Sequence, residues 1–288
     1  MNMIDLILIS ICFFSSTLAS YYDLKTTEVP DKIFYLTILL SLPFLLFKIF
    51  AFYEFSFLFY GILFSFFGFL LYKVGQWGGA DATLFGIFGF LLPEKMFEFQ
   101  IFPTQINFII NFFFVGSLYM IIYSFILLYK SGNFSRSLKE VKKVRKLIFG
   151  FSILTFIPSF LLSFLLLKDL VFSFFSALTI STFYIILFSL YKILRFIEKK
   201  ILIRKIPVSK LKVGDMLLKR RELVGITKDE IKKIKKSGKK FVWIKEGVRF
   251  VPVFPISLLL TLFFNNLILI LLIPELFFLQ FSKPTILP

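Results

Sequence analysis

Histidine is absent from the 288 residues, and cysteine occurs once, as Cys12. Without histidine there can be no Ser-His nucleophile pair and no His-x-x-x-His zinc site. With a single thiol there can be no intramolecular disulfide and no cysteine-rich metal site. Acid–base chemistry, if any, therefore falls to carboxylates or lysines. Acids are scarce too, with 17 Asp and Glu against 34 Lys and Arg, a formal charge of +17. On a soluble chain that balance would suggest nucleic acid. Here 58% of the residues are apolar and 20% aromatic, with a mean hydropathy of +0.88, far outside the soluble range. The charge is accordingly read by its location in membrane loops, and no nucleic-acid partner is expected.

Measured against the roughly 20 residues that a helix needs to cross a bilayer, eight apolar segments stand out, near 4–21, 33–53, 56–72, 82–93, 104–129, 147–167, 170–191 and 253–280. The fold class expected is an α-helical polytopic membrane protein of about eight transmembrane helices with a small α+β cytoplasmic module. Segment 82–93 is too short to span alone, so it should extend upstream through Trp77 to Asp81 or downstream past Pro93, or be shielded by neighbours. The first segment lacks the positive amino end of a cleaved signal peptide and reads as a permanent helix. Residues 130–146 carry seven Lys or Arg against Glu140, and residues 192–250 carry twenty against six acids. Both loops should be cytoplasmic. Counting crossings back from residue 130 puts loops 22–32 and 73–81 on that same side and the amino terminus outside.

The hydrophilic stretch 193–250 has local order signals. Thr227-Lys228-Asp229-Glu230 reads as a capping box opening a short helix that ends near Gly238. Phe241-Val242-Trp243-Ile244 followed by Glu246-Gly247 reads as a strand and turn. Its positive charge fits contact with anionic lipid head groups, or an acidic partner. The chain thus divides into 1–129, membrane helices that carry the two notable acidic motifs; 130–192, a basic loop and two further membrane helices; 193–250, the basic module; and 251–288, a carboxyl-terminal membrane helix.

Carboxylates at membrane boundaries are costly enough to be functional candidates. Asp5, Asp169 and Glu275 fall at expected outer helix ends, where they can reach water and head groups. Asp23 and Asp81 fall at cytoplasmic ends in unusual surroundings. Asp23 opens Asp23-Leu24-Lys25-Thr26-Thr27-Glu28-Val29-Pro30-Asp31, whose Pro30 ends any helix and pre-sets an extended or turn geometry. Asp81 follows Gly75-Gln76-Trp77-Gly78-Gly79-Ala80, where missing side-chain bulk lets a backbone approach closely or lets helices pack. Brought together in a low-dielectric site, two such carboxylates share a proton, one serving as base for water and the other as acid.

These motifs carry a resemblance. Asp23-x-Lys25-x-x-x-Val29-Pro30-Asp31 resembles the first motif of the type IV prepilin peptidase and archaeal preflagellin peptidase family, the GxGD-type intramembrane aspartic proteases. Gly78-Gly79-Ala80-Asp81-Ala82 resembles the second, with Ala80 where glycine is usual. Lys245-Glu246-Gly247-Val248-Arg249-Phe250-Val251-Pro252-Val253-Phe254 resembles a carboxyl-terminal region of some archaeal members. The likeness is good over residues 1–92 and patchy beyond. It implies that Asp23 and Asp81 are the catalytic aspartates, with Gly78, Gly79, Ala80, Lys25 and Pro30 shaping the site. It also implies partners that are pilin-like or flagellin-like precursors, whose short basic leader is cut at the cytoplasmic face of the plasma membrane just before an apolar helix. Glu28 and Asp31 are the nearest acids for that leader. With one cysteine, the paired Cys-x-x-Cys motifs of the bacterial methyltransferase module cannot form, so a peptidase without methylation is expected. The motif form and the Lys, Ile and Phe content lean towards an archaeal membrane. Three other readings stand beside this one: a proton- or ion-coupled transporter using Asp23 and Asp81, a structural subunit of a pilus or secretion machine, and an aspartic protease of the presenilin kind.

Overall fold

The computed structural model describes residues 2–97, 100–211, 215–218, 226–238, 240–245 and 247–273. In chain order its elements are α1 (Met3–Thr26), α2 (Asp31–Phe52), α3 (Ser56–Lys73), α4 (Gly79–Leu91), α5 (Thr104–Lys130), α6 (Phe134–Lys143), α7 (Arg145–Leu167) and α8 (Leu170–Lys200), then β1 (Ile203–Pro207), β2 (Met216–Leu217), α9 (Lys228–Lys236), β3 (Phe241–Lys245), α10 (Val253–Phe264) and α11 (Leu267–Leu272). Among the described residues six helices are long and apolar enough to cross a membrane, namely α1, α2, α3, α5, α7 and α8, while α4 and α10 are apolar but shorter. Six helices among the described residues, not the expected eight, thus have spanning length, because the apolar segments at α4 and α10 form helices of only 13 and 12 residues. The described residues divide into two compact units, one within 1–120, 207–242 and 246–288, the other within 121–206 and 243–245.

In the first unit α1 sets the frame. Asn2 caps its start by accepting the Asp5 N–H at 2.8 Å. Asp5, Leu8, Ile9, Cys12, Ser16, Ala19, Ser20 and Asp23 are its buried residues, and their three- and four-residue spacing makes one stripe. The two acids of α1 thus share a face about 27 Å apart, at 1.5 Å per residue. Ser16 and Ser20 on this stripe donate to the carbonyls of Phe13 and Ser16, so their burial leaves no donor unmet. The helix stops where Thr27 turns left-handed (φ 62) and returns its N–H to the Asp23 carbonyl. Pro30, at φ −64 and ψ 128, then opens α2.

Glycines let α3 and α4 touch. A Cβ on Gly68 would stand 2.9 Å from the Ala82 carbonyl oxygen, on Gly86 2.6 Å from Ser65 Oγ, and on Gly89 2.6 Å from the Tyr60 carbonyl oxygen. Such contact is the usual basis of close helix association in membranes. The short segment does extend upstream, α4 beginning at Gly79 and ending before Pro93. Its far end is pinned by Gln105, whose Nε2 donates to the Leu92 carbonyl at 2.8 Å.

Two expectations change. Asp5 does not reach water but lies buried 2.9 Å from Lys48 Nζ, which also meets Glu54 at 2.9 Å; Lys48 is a buried cation within the apolar α2. The helix expected over 253–280 breaks at Asn265 and Asn266, where Asn111 donates to Thr261 and to the Asn265 carbonyl and accepts the Leu267 N–H. Asn107 bonds both Asn265 and Asn266. These side chains satisfy the backbone groups that the break frees. Residues 274–280 of that segment, with Glu275, lie outside the described residues.

The module reads as expected in its local elements. Thr227 and Glu230 cap α9 reciprocally, Gly238 follows it at φ 70, and β3 forms over the expected strand at Phe241–Lys245. Glu246, in the expected turn, lies outside the described residues.

In the second unit α7 and α8 form a hairpin turned at Lys168 (φ 54) and capped by Asp169, which accepts the Phe172 N–H at 3.0 Å. Ser173, Ala177 and Ser181, four residues apart and buried, form the contact face of α8, with Ser181 donating to the Ser152 carbonyl and Ser176 to Ser163. The basic loop 130–146 contains α6, and β1 runs beside β3.

Candidate active site

Asp23 and Asp81 reach the same place from different elements. Asp23 sits in the last turn of α1, 6% exposed, and its Oδ2 accepts the Val251 N–H at 3.2 Å. Asp81 occupies the third position of α4, 8% exposed, where its Oδ2 accepts the N–H of Gly78 at 3.1 Å. A carboxylate in a first turn is favoured by the helix dipole and by the free N–H groups there. Each aspartate thus takes one main-chain N–H, and the two carboxyls lie within each other's electrostatic field. Asp81 Oδ1 is buried and has no hydrogen-bond partner among the described residues. The Arg249 guanidinium acts on Asp23 as an attractive charge.

The glycine box is used as its chemistry suggests. Gly78 is the N-cap of α4 in extended geometry (φ −74, ψ 163), and a Cβ there would stand 3.2 Å from Asp81 Oδ2. Gly79 is exposed, with nothing closer to an added Cβ than Tyr72 Cε2 at 3.9 Å. Ala80 packs against the apolar core. The first motif is brought only partly into the site. Lys25 is exposed and turns back to the Tyr21 hydroxyl at 3.2 Å and to its ring, Pro30 starts α2, and Glu28 and Asp31 are exposed.

Sequence reasoning noted the region 245–254 but not what it does. Phe250 rests on Trp77, Phe112 and Tyr119, with ring centroids 6.5, 5.7 and 6.4 Å away. Tyr119 donates its hydroxyl to the Arg249 carbonyl at 2.6 Å. Val251 is 2% exposed. The available signal was an Arg-Phe-Val-Pro run directly before an apolar helix, which marks a turn but names no partner.

Two buried carboxyls sharing one field can hold a proton between them and activate water by acid–base exchange. Among the described residues no group of three or more Cys, Asp or Glu is placed to hold a metal ion.

Residues 8–125 match the type IV leader peptidase family, which bears out the resemblance carried by the two aspartate motifs, both inside that range. No curated protein and no solved structure matches the chain.

Proposed function

On the strength of the type IV leader peptidase family match over residues 8–125, we propose that this protein is a membrane aspartic endopeptidase. It removes the short basic leader from pilin-like or flagellin-like precursors at the cytoplasmic face of the plasma membrane. The observation that carries this reading is the meeting of Asp23 and Asp81, two buried carboxyls in each other's field, one of which keeps an oxygen without a partner among the described residues.

In the reaction a water held between the carboxyls gives a proton to the ionised one as its oxygen adds to the scissile carbonyl carbon. The protonated carboxyl gives its proton to the carbonyl oxygen. Collapse of the resulting gem-diol breaks the C–N bond as one of its hydroxyls re-forms the carbonyl and returns a proton to the carboxylate that had given its own, while the proton taken from water goes to the leaving nitrogen. The pair returns to one proton, and no metal or cofactor takes part.

A feature of the same unit supports a substrate with an apolar segment. Helices α2, α3 and α4 line a cavity of about 680 Å³ whose walls include Leu42, Leu45, Phe57 and Phe69 and which reaches Tyr72 and Gly79 at one end. Gly79 is two residues from Asp81. A helix lying in this groove would bring the chain preceding it past Gly78 and Gly79, where added side chains are missing and an extended peptide can approach.

The test is cleavage of a pilin-like precursor with a short basic leader, in membranes holding the protein or its Asp23→Asn and Asp81→Asn variants at equal level. Cleavage by the unaltered protein and none by either variant is the expected result. Cleavage surviving either substitution would sink the aspartic mechanism.

A further inference from the structure

The family match ends at residue 125, yet Asp23 is held from residue 251. We propose that residues 249–251 form a positioning strap that keeps the negative charge of the aspartate pair on Asp23 and leaves the shared proton on Asp81; this deepens the proteolytic reading and rests on it for its catalytic consequence.

The two carboxyls have unequal surroundings. Asp23 accepts a main-chain N–H from Val251 at 3.2 Å, two residues from the Arg249 cation whose charge attracts it, and both favour a carboxylate. Asp81 accepts one N–H from Gly78, while its Oδ1 is enclosed with no donor aimed at it among the described residues. The helix dipole and the Gly78 N–H favour charge on Oδ2, but an ionised Asp81 would still leave Oδ1 desolvated and undonated, whereas a protonated Oδ1 becomes a donor that can serve water or the substrate carbonyl.

The strap is fixed well enough to impose this difference. Phe250 is seated over Gly116, where a Cβ would come within 3.0 Å of its ring. The Tyr119 hydroxyl ties down the Arg249 carbonyl. Beyond Val251, α10 is anchored by Asn111 on Thr261 at 2.9 Å. A donor held at three places does not follow a moving carboxylate, which is the property that preorganised sites use.

Infrared difference spectra of the full-length protein in detergent at neutral pH read the assignment directly through the C=O stretch of a protonated carboxyl. The Asp81→Asn variant should lose a band of the unaltered protein that the Asp23→Asn variant keeps. A band lost with Asp23 instead, lost in both variants or lost in neither overturns the proposal. This measurement needs no substrate, so the expected spectra together with absent cleavage would remove the proteolytic reading and spare the strap. Kinetics give the second arm. Arg249→Gln should lower kcat by about 10²-fold with KM unchanged, and Arg249→Lys, which keeps the charge, should restore most of it. An unchanged kcat in Arg249→Gln, or a loss that Arg249→Lys shares in full, would count against the strap.

Discussion

Asp81 Oδ1, buried and without a donor among the described residues, is a local expense to folding that only function repays. The Asp81→Asn variant should therefore lose cleavage by about 10⁴-fold or more while its thermal unfolding in detergent shows it as stable as the unaltered protein, or more stable by about 1 kcal/mol. A clear loss of stability would mean that the carboxylate is structural. The two glycines of the box should also behave differently. The N-cap geometry of Gly78 suits any residue, but a methyl group there presses on Asp81 Oδ2 from 3.2 Å, so Gly78→Ala should reduce kcat with little change in unfolding temperature. At Gly79 an added Cβ would meet no side chain among the described residues closer than Tyr72 at 3.9 Å, so Gly79→Ala should leave the substrate-free protein unaffected and raise KM as the methyl group meets the passing peptide. These residues were legible because each breaks an apolar run with a side chain, or the lack of one, that the membrane disfavours. The donor on Asp23 was not. It is the main-chain N–H of Val251, 228 residues away, and a main-chain group leaves no mark in a sequence.

Among the elements, the pairing of α3 with α4 decides where Asp81 stands. Gly68 faces the Ala82 carbonyl oxygen at 2.9 Å from a built Cβ, and a backbone atom cannot swing aside as a side chain can. Gly68→Ala should destabilise by about 1–3 kcal/mol and reduce cleavage, because separation of the helices moves the residue next to Asp81. Lys48 offers the contrasting case. It is buried against Asp5 and Glu54, near the end of α1 remote from Asp23, and removing it strands two carboxylates. Lys48→Ala should cost about 3–5 kcal/mol in unfolding measurements, with kcat of the folded fraction unchanged. Lys48 escaped the sequence reading because a lone lysine near the end of an apolar run looks like one that extends to the interface. The break at Asn265 and Asn266 escaped it for a related reason. Asn107 and Asn111, from a helix about 150 residues earlier, supply the hydrogen bonds that make the break tolerable, and hydropathy does not register such pairing. What periodicity and apolar length did convey, the helical class and the start of α4 close to Asp81, depends on local pattern alone.

For the whole molecule, the proposal that Asp23 and Asp81 work at the cytoplasmic face depends on α4. Charge counting sets loops 22–32 and 130–146 on one side only if all four intervening helices cross, and α4 has 13 residues, about 20 Å of helix against a hydrocarbon core of roughly 30 Å. Its glycine contacts with α3 and its buried face show how a short helix can remain inside, shielded by protein instead of lipid. The single native thiol, Cys12, is fully buried, so one introduced cysteine at a time can be mapped with a membrane-impermeant maleimide in oriented vesicles. Lys25→Cys and Lys142→Cys, both at exposed positions, should label from the cytoplasmic side, and Lys168→Cys from the opposite side. If Lys25→Cys and Lys142→Cys label from different sides, α4 does not cross and the charge argument places only one of the two loops correctly. If Lys25→Cys labels from outside, Asp23 in the same last turn of α1 could not meet a leader that stays in the cytoplasm, and the cleavage would have to occur at the other face.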